Sequence, residues 1–278
     1  MKKYCFLLIL PIHLLFVSSG QAAGYDISHL FPVAGGVAHP SFIGSTNPVG
    51  FVYNNGANFV AFASTIKSSS STSQSDPIYY LAGVSGGNQK VGGGLFLDGT
   101  HDSDNTPKNS SDLAWGFGFG LGSNLAIGVS GSNSTNSAST SGNNSSGSGI
   151  GAIGLVINHT GRHRLGIVSV DPGQSSSDKA LGVGYAFSGS EFTFGFDTIY
   201  NTKTERGTTY LGVGLTSSKF QVTANYALGF DNSNTATSST ASDGAMSFGI
   251  GYAPSSSVVL AFQYAETNNY LAGFTYTF

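Results

Sequence analysis

Few residues of this sequence carry charge. Lys, Arg, Asp and Glu make up 9% of the 278 residues, against about a quarter in an ordinary soluble domain. That is too little charge to coat the outside of a soluble β-sandwich. Cysteine occurs once, at Cys5, so no intramolecular disulfide can form. The eight prolines and the glycines without a three-residue period exclude a collagen-like chain. Beyond the first segment no apolar run approaches the roughly 18–20 residues of a membrane-spanning helix. There is no basic stripe for nucleic acid, no phosphate loop and no phospholipase-like Ser/His arrangement. What the chain does have is 40 glycines, many serines and 12% aromatics, at a mean hydropathy of +0.05. The aromatics offer too much burial for a disordered chain.

The first residues read as an address. Lys2 and Lys3 precede an apolar stretch from Cys5 to Val17, followed by Ser18, Ser19, Gly20, Gln21 and Ala22. A basic start, a short apolar core and small residues at the cut describe a secretory signal peptide over 1–22. Pro11 and His13 and the shortness of the run argue against a membrane anchor. Cleavage there removes the cysteine and two basic residues, leaving an exported chain with more acid than base.

From about residue 57 the pattern alternates at period two, the signal of strands. Leu113, Trp115, Phe117, Phe119 and Leu121 interleave with Ala114, Gly116, Gly118 and Gly120. Leu181, Val183, Tyr185 and Phe187 interleave with Gly182, Gly184 and Ala186. One face is large and apolar, the other small, and with so little charge the apolar face is expected to meet lipid. About fourteen such segments follow one another, each about ten residues long, the length of a tilted strand crossing a bilayer. Their boundaries also allow twelve or sixteen. Long Ser/Thr/Asn-rich connections alternate with tight turns, as in outer-membrane barrels. The expected fold is all-β: a transmembrane antiparallel β-barrel over 51–278 with an N-terminal plug over 23–50.

The end of the chain alternates back from Phe278 through Tyr276, Phe274 and Tyr270. This resembles the C-terminal signature by which bacterial outer-membrane barrels are recognised by their assembly machinery. Together with the signal peptide it implies the outer membrane of a Gram-negative bacterium. Tyr200 and Tyr264, near strand ends, are expected in the interfacial aromatic girdles.

The face opposite the aromatics is poor in charge for a lumen. Its polar candidates are Asp98, Asn158, Asp197, Gln221, Asn225 and Gln263, which form no ring that would select ions. Its glycines, Gly116, Gly118, Gly154, Gly184 and Gly212 among them, have two readings. They allow close packing against a plug, or they make room for a bulky uncharged solute.

Residues 23–50 do not alternate and contain Gly35-Gly36 and Asn47-Pro48-Val49-Gly50. This resembles the N-terminal hatch of FadL-type transporters of long-chain fatty acids and aromatic hydrocarbons, whose hatch carries an Asn-Pro-Ala motif. Asn47 and Pro48 match two of its three positions. The resemblance implies a fourteen-stranded barrel, a hatch containing Gly35, Gly36, Asn47 and Pro48, and passive uptake of a small hydrophobic solute. It also implies a lateral exit where the third strand is interrupted, for which Gly92-Gly93-Gly94 is the candidate. The loops here are shorter and more Ser-rich than the family's, a departure at the external capture groove. The other readings are a structural or adhesive barrel and a general porin. The expected partners are outer-membrane lipid, the assembly machinery and the solute, with the chain a monomer, no nucleic acid, no cofactor and no metal.

No catalytic residue is assigned. His101 beside Asp102 and Asp104 reads as an ordinary polar loop, because one short loop rarely completes a site. Arg162-His163-Arg164 reads as a solvated anchor at a turn.

Overall fold

The computed structural model describes residues 29–41, 46–53, 55–65, 78–88, 90–101, 110–134, 149–172, 179–231, 244–266 and 269–278. The expected signal peptide, 1–22, lies outside the described residues, as do Asp102, Asp104 and most of the Ser-rich connections.

Fourteen strands run in chain order: β1 Asn55–Thr65, β2 Ile78–Asn88, β3 Val91–His101, β4 Ser110–Leu121, β5 Leu125–Ser134, β6 Gly149–Ile157 and β7 His163–Val170. The second half comprises β8 Ala180–Ser188, β9 Phe192–Asn201, β10 Arg206–Thr216, β11 Phe220–Asp231, β12 Ala245–Ser255, β13 Val258–Ala265 and β14 Asn269–Thr277. Each pairs antiparallel with its sequence neighbours, and β1 closes the barrel on β14 with Asn58 opposite Thr277. The closure is reinforced where the Thr277 hydroxyl donates to Asn58 Oδ1 at 2.6 Å and the Phe278 amide to the Ala57 carbonyl at 3.0 Å. A closed barrel leaves no strand edge unpaired, which is what allows a sheet to stand in lipid.

Alternation assigns the two faces. From β2 to β14 every strand exposes large apolar side chains on its outer face, such as Leu95, Phe117, Leu211 and Phe248. An apolar belt of that extent is unsustainable in water and needs a lipid cover. At one rim Tyr200 stacks on Phe230 (6.1 Å, 4°) and Tyr264 tilts against Tyr270. At the other, Phe220 stacks on Tyr252 at 4.7 Å. Connections 89–90, 122–124, 158–162, 189–191, 217–219 and 256–257 gather at this second rim, the short-turn end. Most connections at the opposite rim are longer, although 202–205 and 266–268 are short as well.

Two register shifts interrupt the ladders, between Ser130 and Gly131 where β5 meets β6, and between Tyr252 and Ser255 where β12 meets β13. Neither lies in β3. The expected kink at Gly92–Gly94 is not there: Gly92, Gly93 and Gly94 pair in unbroken register with Gly87, Gly86 and Ser85 on one side and Gly118, Phe117 and Gly116 on the other. The missing side chain of Gly93 is made good by its neighbour, since a Cβ there would lie 2.6 Å from the Phe117 ring. Three glycines in a row are tolerated because both flanking strands supply partners.

Candidate functional site: a hatch seated in the lumen

Residues 29–41 and 46–53 lie inside the barrel and nearly all are buried. The segment ends in a 3-10 turn, Pro48–Tyr53, so it extends slightly past the expected boundary at 50 before β1 begins at Asn55. Its path follows the wall in reverse strand order. Phe31 lies against Gly249 of β12, Ala34 against Gly212 of β10, Val37 against Gly166 of β7, Asn47 against Gly154 of β6, Pro48 against Gly128 of β5, and Phe51 and Val52 against Gly116 and Gly118 of β4. At each glycine an added Cβ would run into the hatch, its backbone at Gly118 lying only 2.8 Å away. Of the two readings of the inward glycines, close packing against a plug is the one these contacts support.

Three of the expected lumen residues serve as anchors for the hatch backbone. Gln221 accepts from the Phe31 amide at 2.8 Å and returns a bond to its carbonyl at 3.4 Å. Asn225 does the same one turn on, accepting from Ala34 at 2.7 Å and donating to Pro32 at 3.3 Å. Asp197 is buried, with no cation in contact among the described residues, and takes the amides of Val37 at 2.9 Å and Ala38 at 3.4 Å, with those of Gly35 and Gly36 also bonded to it. Positive φ at Ala34 (59°) and Gly36 (71°) curls the backbone so that successive N–H groups converge on the carboxylate, an anion-binding nest. Gly35 has a second constraint, because a Cβ there would lie 2.9 Å from the Tyr210 ring.

Asn47 is the pin of the motif. Its amide nitrogen donates to the Val37 carbonyl at 2.9 Å and reaches the wall carbonyls of Leu155 and Ile167 at 3.3 and 3.4 Å, while its oxygen accepts from Val49 at 3.1 Å. Pro48 opens the 3-10 turn where no amide hydrogen is needed.

The remaining expected lumen residues are scattered. Asp98 faces the lumen from β3 directly opposite Asp112 of β4, one oxygen of each being buried without a partner. Gln263 is half-buried on the inner face of β13. Asn158 is not in the lumen: at φ 57° it sits in the β6–β7 turn and donates to the His163 carbonyl at 2.6 Å. β6 ends at Ile157, one residue before Asn158, where the chain leaves the alternating pattern. Arg164 is a second correction, since it is buried on the inner face of β7 and not solvated. Tyr270, Phe274, Tyr276 and Phe278 point outward at the rim and belt.

The lumen has two characters. Along β9–β11 it is polar and binds hatch backbone. Along β12–β14 and β1–β3 it carries an apolar cluster, Val60, Phe62, Leu81, Phe96 and Leu271 packed on Leu30 and Phe31 of the hatch with Phe51 at the edge, beside the inward polar residues Asn58, Asp98 and Gln263.

The barrel fold is shared with solved channels. The structure superposes on CymD, described as a monoaromatic hydrocarbon channel, with a TM-score of 0.56 at 12% identity, over 84% of this chain and 91% of that one. It superposes on a TodX variant, also a monoaromatic hydrocarbon channel, with a TM-score of 0.54 at 11% identity, over 84% and 93%. At such identities the likeness is one of fold. No family model matches the sequence, and no curated protein does.

Proposed function

We propose that this protein is an outer-membrane channel of the FadL type for passive uptake of small hydrophobic or uncharged molecules, of the fatty-acid or aromatic-hydrocarbon class. The observation that carries the reading is the hatch itself: a segment docked through Asn47, Asp197, Gln221 and Asn225, facing an apolar sector of the lumen. A solute that sheds water gains on entering such a sector, by about 25 cal/mol per Å² of apolar surface covered. An ion gains nothing there and pays for desolvation. The fold shared with two monoaromatic hydrocarbon channels supports that solute class. The unbroken pairing of β3 favours passage along the lumen past the hatch over a gap in the wall at Gly92–Gly94.

Single-channel recording on the purified chain tests this reading. A docked hatch predicts near-baseline ion currents together with swelling of liposomes in small uncharged solutes only when the hatch is loosened. Large, steady currents from the native chain would instead establish a general porin.

A further inference from the structure

At the short-turn end, where the hatch meets the wall, three flat side chains form a stack. The rings of His39 and His29 are 4.5 Å apart and 10° from parallel, and those of His29 and Tyr53 are 4.0 Å apart and 7° from parallel. Arg164 of β7 closes the group: its guanidinium lies 5.7 Å from the centre of the Tyr53 ring, and its Nη1 is 3.4 Å from His29 Nε2. Its Nε donates to the Gly161 carbonyl at 3.1 Å. The Tyr53 hydroxyl donates to the His159 carbonyl at 3.1 Å, and the His159 ring sits 6.3 Å from that of Tyr53. The stack therefore ties both ends of the hatch to β7 and to the β6–β7 turn.

The hydrogen positions in this group follow from its partners. His29 Nδ1 is 3.0 Å from the Pro40 carbonyl, which can only accept, so the ring hydrogen is there. His29 Nε2 then offers its lone pair to the guanidinium, which can only donate. His39 is 1% exposed, and its Nδ1 has no hydrogen-bond partner. Among the described residues, His29 of the hatch stacks on it and Arg164 of β7 acts on it, while Tyr53 stacks on His29, His159 of the turn lies beside Tyr53, and Asp197 of β9 accepts from the adjacent Ala38 amide. No Asp or Glu pairs with His39 or Arg164 among the described residues. A proton on His39 would be buried, face-to-face with another imidazole and beside a guanidinium.

We propose that this stack is an acid-released latch: protonation of His39 unstacks it and frees residues 29–41 from the wall. The unlatching stands on the stack alone, whereas its consequence for passage rests on the transport reading above. Burial, then His29, then Arg164 hold the basicity of docked His39 well below the ordinary imidazole value of 6.5. Above pH 6.5 neither docked nor undocked His39 is protonated, so docking is at full strength. As the pH falls below 6.5 the undocked ring takes up a proton more readily than the docked one, and docking weakens by up to tenfold per pH unit. At pH 5 the undocked fraction rises by up to about 30-fold.

Hydrogen exchange on the full chain in lipid nanodiscs, corrected for intrinsic rates, reads the latch directly. The amides of 29–41 are expected to exchange faster at pH 5.0 than at pH 7.5, by up to about 30-fold, with the strands changing less than twofold. His39→Phe keeps a ring in the stack but cannot titrate there, so the acid-induced rise in hatch exchange should fall severalfold, with His29 and Asp197 the titratable groups that remain on or against the segment. Arg164→Gln retains a donor to His29 without the charge, so protonation of docked His39 is opposed less and the rise in hatch exchange between pH 7.5 and pH 5.0 should shrink while the hatch stays docked at pH 7.5. Hatch exchange that is flat in the native chain overturns the latch. So does a full response in His39→Phe, an undiminished acid response in Arg164→Gln, or strands and hatch accelerating together. If the hatch amides respond and the single-channel conductance does not, the latch stands and the transport reading falls.

Discussion

Replacing Asp197 with alanine should undock the hatch without unfolding the barrel. The carboxylate is 1% exposed and satisfies amides of the hatch at Val37 and Ala38, with Gly35 and Gly36 alongside. Truncation leaves these N–H groups facing a small void with no acceptor. A buried donor left unmade costs about 1–3 kcal/mol, and part of that is offset because a buried carboxylate is itself removed. The net weakening of docking is about 2–4 kcal/mol, which is about a 30- to 700-fold rise in the undocked fraction. The strand ladder on either side of Asp197 does not use its side chain, so β9 should stay paired with β8 and β10. The assay is single-channel conductance, with folding checked by circular dichroism and heat-modifiable gel migration. Frequent long openings are expected, where the native chain is almost silent. Gly184→Ala provides an independent route, since its Cβ would occupy the place of Asp197 Oδ1 and push the carboxylate off the nest. A folded Asp197→Ala barrel as silent as the native one would refute the anchoring role.

Four further outcomes are expected. Gly154→Ala should loosen the hatch at a second anchor, because the added methyl meets Asn47 Oδ1, and conductance should rise as with Asp197→Ala. Gly93→Ala should leave hydrocarbon uptake within about twofold of native in folded protein, since β3 is continuously paired there; a large fall in uptake would reinstate a lateral exit. Phe96→Ala removes a 4%-exposed ring from the apolar cluster and should lower stability to denaturant by about 3–5 kcal/mol, a loss that an apolar ligand filling the space should partly restore. Arg206→Ala breaks an exposed ion pair with Asp231 of 2.8 Å, and its effect on stability should stay below about 1 kcal/mol.

The barrel was legible because its residues have only two destinations. Each strand side chain meets lipid or lumen, so Leu181, Val183 and Tyr185 against Gly182 and Gly184 disclose both faces at period two. Even the inward placement of Asp197, Gln221 and Asn225 could be read, since they keep phase with glycines on their own strands. Their job could not, because it depends on a hatch about 160–190 residues away in sequence. The stack of His29, His39 and Tyr53 with Arg164 was hidden for the same reason: nothing local marks a partner 135 residues distant. The phase of β7 does place Arg164 inward with Gly166 and Val168, a signal overridden by reading the whole basic triplet as solvated. Gly92–Gly94 shows the opposite failure. Local composition favoured a break, and pairing with β2 and β4 prevented one.

The central claim, a hatch-controlled channel for hydrophobic solutes, is tested most directly by uptake in intact Gram-negative cells expressing the full chain. Accumulation of a labelled monoaromatic hydrocarbon should exceed that of cells lacking the chain, with no gain for a carboxylated analogue of the same size. Equal accumulation of the hydrocarbon in both sets of cells, with the barrel present and folded in the outer membrane, would contradict it.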